Sequence, residues 1–369
     1  MRVLLLPRYE ANGASSRYRL WQYVPLLERE GVHVEVWPLH DESYLEHLYQ
    51  TGGRRLWRLL RDYGERWKRL RHVDEFDGVV CEQELLPFLP AAVEEPVLRR
   101  SLRFVVDYDD AAYVKYTGWP VLKNKIQRLL ARATAVVVGN GHLANYARRY
   151  ARNVFVIPSV VNLDRYPRRQ ERTATSVVRV AWIGTPVTAH LLRPLLGTLG
   201  RLCDKHPDLV LRLIGAGRGF SPDGLRYERM DWSEQTEAGL LAESDIGIMP
   251  LPEGEFARGK CGVKLLQYMA AGLPVVASPV GANPEIVQEN LTGFLAASEA
   301  EWFARLDELI QNHELRQRIG KAGRARVEAH YTLERGLAQW LEVLKPGSVP
   351  DIATALARPR PDAREPLFP

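Results

Sequence analysis

RGKCGVKLLQYMAAGLPVVAS, residues 258–278, decides how this chain is read. Residues 258–262 form a loop that carries glycine and lysine. Residues 263–271 read as a short helix closed by Gly272, and a buried strand begins at Leu273 and Pro274. A loop entering a helix offers unbonded backbone N–H groups, and the helix dipole adds about half a positive charge there. Gly262 lets the backbone approach a ligand closely. Lys260 and Lys264 stand one turn apart and add mobile positive charge. A phosphate or diphosphate suits this arrangement. An ordinary loop-to-helix junction with two solvated lysines has the same spacing.

Outward from this segment, strand and helix patterns alternate. Residues 177–183, 209–214, 245–251 and 274–278 read as strands, with helices over 191–206 and 237–243. The first half repeats the plan. Residues 3–7, 32–37, 78–81, 104–106 and 135–138 read as strands, and 17–30 as a helix stopped by Gly31. This is the pattern of an α/β fold with doubly wound parallel sheets. The expected organisation is an acceptor-side domain over 1–164, a linker over 165–175 and a second domain over 176–330. A helix over 331–345 is placed to return to the first domain, and a proline-rich tail over 346–369 is expected to be disordered. Two such domains leave a cleft, the default ligand site. In parallel sheets, ligands meet loops at the carboxyl ends of strands, here those after Leu6, Val106, Val138 and Ile157.

The 369 residues suit two domains at roughly 100–200 residues each. With 46% hydrophobic and 26% charged residues the composition is that of an ordinary globular chain. Cys81, Cys203 and Cys261 are too scattered for a disulfide framework or a zinc site, which fits a reducing cytosol. Residues 1–6 are too short for a signal peptide, and no apolar run approaches the roughly 20 residues of a membrane span. The net charge of +5 is uneven. Residues 54–71, RRLWRLLRDYGERWKRLR, are strongly basic, and Leu56, Leu59, Leu60, Tyr63, Trp67 and Leu70 share a helical face. Such a helix suits peripheral contact with the inner face of a membrane, or packing on its own domain with a solvated basic side. Aromatic and basic residues do not recur along the chain as nucleic-acid binding would need.

Four strings carry a resemblance. QYMAAGLPVVAS (267–278), VIPSVVNLDRY (156–166), DIGIMP (245–250) and NPEIVQENLTGFL (283–295) are similar, in order and spacing, to landmarks of the GT-B glycosyltransferases, in particular the retaining group called family 4. The resemblance spans residues 1–345. It implies two Rossmann-like domains facing across a cleft, and transfer of a sugar from a nucleotide-diphosphate donor to an acceptor hydroxyl with retention. It also implies no cofactor and no bound metal, so the leaving charge must be met by N–H groups, Lys and Arg. The resemblance places the donor at Gly184, Thr185, Arg258, Lys260, Cys261, Gly262, Val263, Lys264 and Gln267. Gly13, Ser15, Ser16 and Arg17 resemble the family's glycine-rich loop, and Arg17 and Arg19 suit an anionic acceptor. Asp109 and Asp110, in a carboxylate-rich turn after a buried strand, are candidates to orient an acceptor hydroxyl or take its proton. A helix N-cap cluster has the same composition. Glu285 is expected near the donor sugar; a helix-start acid is its plainer reading. The acceptor is a glycan, a lipid-linked glycan or a small molecule, as in cell-envelope or exopolysaccharide synthesis.

The chain departs from the family at telling places. Gly259 and Gln267 occupy the positions of its paired glutamates, the second of which binds ribose. An amide can still hydrogen-bond ribose, without the charge-assisted bond. Glu253 and Glu255 are candidates to replace the missing acid. The loop after Gly184 lacks the family's Arg and Lys, so the diphosphate charge is expected on Arg258, Lys260 and Lys264. A GT-B epimerase or hydrolase, or a non-catalytic nucleotide-sugar binder, are the rival readings. A Rossmann oxidoreductase is excluded, because no G-x-G-x-x-G follows the first strand.

Overall fold

The computed structural model describes residues 1–53, 55–168 and 177–345. Most of the expected linker and the whole tail, residues 169–175 and 346–369, lie outside the described residues.

Twelve strands form two six-stranded parallel sheets. The first holds β1 (Arg2–Leu6), β2 (His33–Val36), β3 (Gly78–Glu82), β4 (Phe104–Tyr108), β5 (Ala135–Val138) and β6 (Val154–Val156), in the order β2-β1-β3-β4-β5-β6. The second holds β7 (Val178–Ile183), β8 (Leu209–Ile214), β9 (Tyr227–Met230), β10 (Ile246–Met249), β11 (Val275–Ala277) and β12 (Gly293–Leu295), in the order β12-β11-β10-β7-β8-β9. Central strands such as β1, β3 and β10 bury both faces, hence their near-continuous Val, Leu and Ile. Each sheet reverses its winding once, between β1 and β3 and between β7 and β10. Crevices at the carboxyl ends of strands open at such switch points. The two face each other. This is the GT-B architecture that the sequence leads one to expect.

Some local expectations fail, for physical reasons. The single helix over 17–30 is broken into Ala14–Arg19, a 3-10 turn Trp21–Tyr23 and Val24–Arg29. Pro25 has no N–H for an i−4 bond, so the helix restarts around it. Pro194 likewise makes the start of the 191–206 stretch a 3-10 segment, Ala189–Leu195, before the helix Leu196–Lys205. The edge strands β6, β9 and β12 escape the sequence reading because they are short and, in β9, largely polar. The helix Leu333–Leu344 packs on the first half, where Trp340 meets Tyr23 edge-on at 6.2 Å and Arg103 donates to the carbonyls of Val343 and Lys345 at 2.7 and 2.6 Å.

The basic helix, Leu56–Arg69, is turned the unexpected way. Its inward residues are Asp62 and Arg66; Asp62 meets His40 Nδ1 at 2.9 Å and Arg66 donates to the Pro7 carbonyl at 2.8 Å. Leu56, Trp57 and Leu60 point outward, 67%, 84% and 55% exposed. The expected apolar face is split: Leu70 and Tyr63 pack into the core of the first half, while Leu56 and Leu60 stay outside.

Candidate functional site

On the first half, the loop after β1 leads into the helix Ala14–Arg19, which presents two arginines with opposite fates. Arg19 is fully buried and donates to both carboxylate oxygens of Asp107, at 2.9 and 2.5 Å, and to the Ile157 carbonyl at 2.8 Å. It is therefore a structural tie between β4 and the β6 loop, and not free for an anionic acceptor. Arg17 lies between the rings of Tyr18 and Trp232, at 4.8 and 4.6 Å, and its Nε and Nη1 are buried without hydrogen-bond partners. Ser16 faces away from the cleft, donating to Glu82 at 2.5 Å and accepting from the Tyr9 N–H at 3.0 Å.

The carboxyl ends of β3 and β4 bring together a polar network. Gln83, in the left-handed region with φ 60°, donates to Asp109 Oδ1 at 3.0 Å and accepts from Lys115 Nζ at 3.0 Å. Burial and the nearby charge of Asp109 push Glu82 up to about 7. Burial also raises Asp110, although Lys260 Nζ reaches its carboxylate at 2.8 Å from the other half.

The second half contributes the segment 258–278. Gly262, at φ 69°, caps the helix Val263–Ala270, a conformation that a side chain would strain. The N–H of Leu265 already bonds the Gly262 carbonyl at 2.9 Å, so the N–H groups of Val263 and Lys264 are those that the helix start leaves without an intrahelical acceptor. Lys264 Nζ lies 4.2 Å over the Trp182 ring and meets no acid among the described residues. Burial and the neighbouring Lys260 lower its pKa to about 7. Arg258, by contrast, turns outward to Glu253 at 3.5 Å.

Gly259 has a steric explanation. A Cβ there would lie 2.4 Å from the Ala111 backbone nitrogen. The loop has no room for a side chain because the turn after Asp109 and Asp110 occupies the space. Neighbouring contacts cross the same seam. Cys261 Sγ donates to the Asp109 carbonyl at 3.0 Å, and Asn140 Nδ2 donates to the carbonyls of Arg258 and Lys260 at 3.2 and 3.0 Å. Glu255 accepts from Tyr113 at 2.6 Å and lies 3.1 Å from His142 Nε2, so it does not stand in for an acid at 259.

Between the halves lies a cavity of about 640 Å³. It is lined by Gly13, Ser15, Arg17, Asp109, Asp110, Gly184, Thr185, Lys260, Cys261, Gly262, Val263, Lys264 and Gln267. Of the residues expected from sequence, Ser16, Arg258 and Glu285 do not line it. Ser16 is held by Glu82, Arg258 by Glu253, and Glu285 is exposed in the short helix Asn283–Ile286 beside Gly141. The cavity also takes in Tyr18, Trp232 and Glu237, which the sequence reading missed. Glu82 and Gln83 beside it could have been found, since they stand at the carboxyl end of β3 as Asp109 and Asp110 stand at that of β4. Among the described residues no group of three or more His, Cys, Asp or Glu is placed to hold a metal ion.

Residues 178–312 match the family described as Glycosyl transferases group 1. Spore coat protein SA of Bacillus subtilis is 32% identical over 165 residues, 40% of this chain and 44% of that protein. The GDP-mannose-dependent monoacylated alpha-(1-6)-phosphatidylinositol monomannoside mannosyltransferase of Corynebacterium glutamicum is 27% identical over 59% of this chain and 64% of its own. The chain thus spans about half the length of the first curated relatives it matches. Among solved structures, Anabaena HepE in complex with UDP and glucose superposes with a TM-score of 0.68 at 16% identity, over 93% of this chain and 99% of that one.

Proposed function

Since residues 178–312 match the glycosyl transferases group 1 family, we propose that the chain is a retaining glycosyltransferase using a nucleotide-diphosphate sugar. The observation that carries this reading is the acid-free amine of Lys264 together with the unbonded Nε and Nη1 of Arg17, whose Nη2 alone faces Glu237, beside the first turn of the helix Val263–Ala270. Together they suit a diphosphate. The bond from the anomeric carbon to the diphosphate oxygen breaks, and the acceptor oxygen bonds that carbon on the same face. Lys264, Arg17 and the helix N–H groups meet the departing charge. Gln267 receives the ribose hydroxyls. Asp109, whose second carboxylate oxygen makes no hydrogen bond among the described residues, orients the acceptor hydroxyl or takes its proton. Lys260 holds Asp110 at the rim. Transfer needs no metal in this reading, because the cationic groups do that work.

The relatives support a nucleotide-sugar donor and differ on the base, GDP for the mannosyltransferase and UDP for HepE. A thermal-shift and calorimetric panel of UDP- and GDP-sugars, followed by product analysis with glycan and lipid-linked acceptors, tests the proposal. A bound donor with transfer and retained anomeric configuration is expected. Sugar release or epimerisation alone would favour the rival enzyme, and binding without turnover would favour a binder.

Peripheral membrane contact at the cytoplasmic face is part of the reading. The ridge of Leu56, Trp57 and Leu60 is exposed, and Arg61 and Lys68 beside it are 59% and 69% exposed. An apolar ridge flanked by cations suits an anionic lipid surface. It would bring the cleft to a lipid-linked, cell-envelope acceptor. No helix among the described residues is long and apolar enough to cross a membrane.

A further inference from the structure

Gln267 stands where the resemblance expects an acid, and a buried carboxylate from another element lies beside it. Glu237 opens the helix Glu237–Ala242, is fully buried and lines the same cavity as Gln267. Five side chains converge on it. Trp232 Nε1 donates at 2.7 Å and Tyr18 Oη at 3.2 Å, while Arg17 Nη2 lies at 3.5 Å. The Tyr166 hydroxyl donates as well, and the polar side chain of Gln267 lies near enough to help hold the charge. Burial alone would raise the acid, but the Arg17 charge, the hydrogen bonds of Tyr166 and Trp232 and the nearby Gln267 hold it below the usual carboxylate range. Glu237 is therefore a buried anion.

This explains the amide at 267. A glutamate there would set a second carboxylate against Glu237, and two adjacent buried anions repel. An amide can donate one N–H to Glu237 and keep its carbonyl oxygen and a second N–H for a ligand. Without Glu237 the two ends of the amide would be free to exchange, and a defined pattern toward the cavity would be lost.

We propose that Glu237 is the positioning residue of the ribose pocket, holding the Gln267 amide in the orientation that receives the ribose hydroxyls and tying that pocket to Arg17 and Tyr18 of the opposite half. The acid of the family's pattern has thus moved from position 267 to a neighbouring helix. The inference rests on the donor reading above.

The test is a charge swap. UDP and GDP, each with its 2′-deoxy and 3′-deoxy form, are titrated by calorimetry into the full chain and into Glu237→Gln, Gln267→Glu and the double variant. Each single variant is expected to lose about tenfold in affinity and to narrow the preference for ribose over deoxyribose. The double variant, which keeps one acid and one amide in contact, is expected to recover both to within about threefold of the parent. A purely structural Glu237 would move the melting temperature and leave the ribose preference alone. Wild-type preference in Glu237→Gln, or a double variant no better than the worse single one, overturns the proposal. Should Glu237→Gln fail to fold, the double variant decides by the same two readouts. If neither nucleotide binds the wild-type chain, the donor reading falls and this inference falls with it.

Discussion

The cleft has a closed side and an open side, and two lysines four residues apart belong to different ones. On the closed side Lys260 is neutralised by Asp110 at 2.8 Å, Cys261 bonds the Asp109 carbonyl, and Gly259 touches Ala111 backbone to backbone. On the open side Lys264 lies over Trp182 with no acid partner, opposite Arg17 with two unbonded N–H groups. The sequence treats both lysines as one diphosphate clamp with Arg258. The structure divides the labour. Arg258 faces outward, Lys260 ties the halves together, and Lys264 has no acid partner among the described residues. A cation that already has its anion gains little from a second one, whereas a desolvated amine without an acid gains a great deal.

The largest expected effect tests that division directly. Lys264→Met should weaken donor binding about a hundredfold, roughly 2.7 kcal/mol, while leaving unfolding stability equal or higher. Lys260→Met should do the reverse, lowering stability by about 2 kcal/mol through an unpaired Asp110 and changing donor affinity less than threefold. Calorimetric titration and urea unfolding read the two quantities, and equal affinity losses in both variants would erase the distinction.

Gly259→Ala bears on the closed side alone. Its Cβ would meet Ala111 backbone at 2.4 Å, and backbone cannot step aside as a flexible side chain can. A loss of about 1–2 kcal/mol and a larger radius of gyration in solution scattering are expected. An unchanged radius and melting temperature would mean that the seam is not held by this contact.

The exposed ridge of Leu56, Trp57 and Leu60 offers a third contrast, between apolar side chains left outside and the polar Asp62 and Arg66 turned inside. Trp57→Glu should reduce co-sedimentation with vesicles rich in anionic lipid about tenfold, with transfer to a water-soluble acceptor unaffected. Equal binding of parent and variant would return this helix to an ordinary solvated surface.

The smallest effect is in pH. Lys264 titrates at about 7 in the empty cleft, far below the usual 10.5. A bound diphosphate favours the charged amine and raises that value, so binding takes up a proton above pH 7. Donor affinity should be flat below pH 7 and fall about fivefold from pH 7 to pH 8. Lys264→Met should show no such slope.

Much of the fold was legible because its signals are local. Val, Leu and Ile runs, Gly31, Gly272 and the string at 267–278 each report on a few neighbouring residues, and their order suffices for two parallel sheets and a donor loop. The helix breaks at Pro25 and Pro194 were missed although their signal is equally local, since proline removes an N–H wherever it falls. The site was legible as a set of residues and not as a circuit. Lys260 meets Asp110 across 150 positions and Arg17 meets Glu237 across 220, and no local pattern encodes such pairs.

By itself, then, the sequence determined the alternation of strand and helix, the glycines that let the backbone turn into an anion-binding helix start, and the identity of the cations available there. Tertiary structure alone decided which of those cations already has a partner, which face of the basic helix is turned to solvent, and that the buried acid of this cavity is Glu237. The physical reason is range. Backbone propensity and turn chemistry act over a few residues, whereas the charge state of a buried group depends on whatever the fold brings within a few ångströms of it.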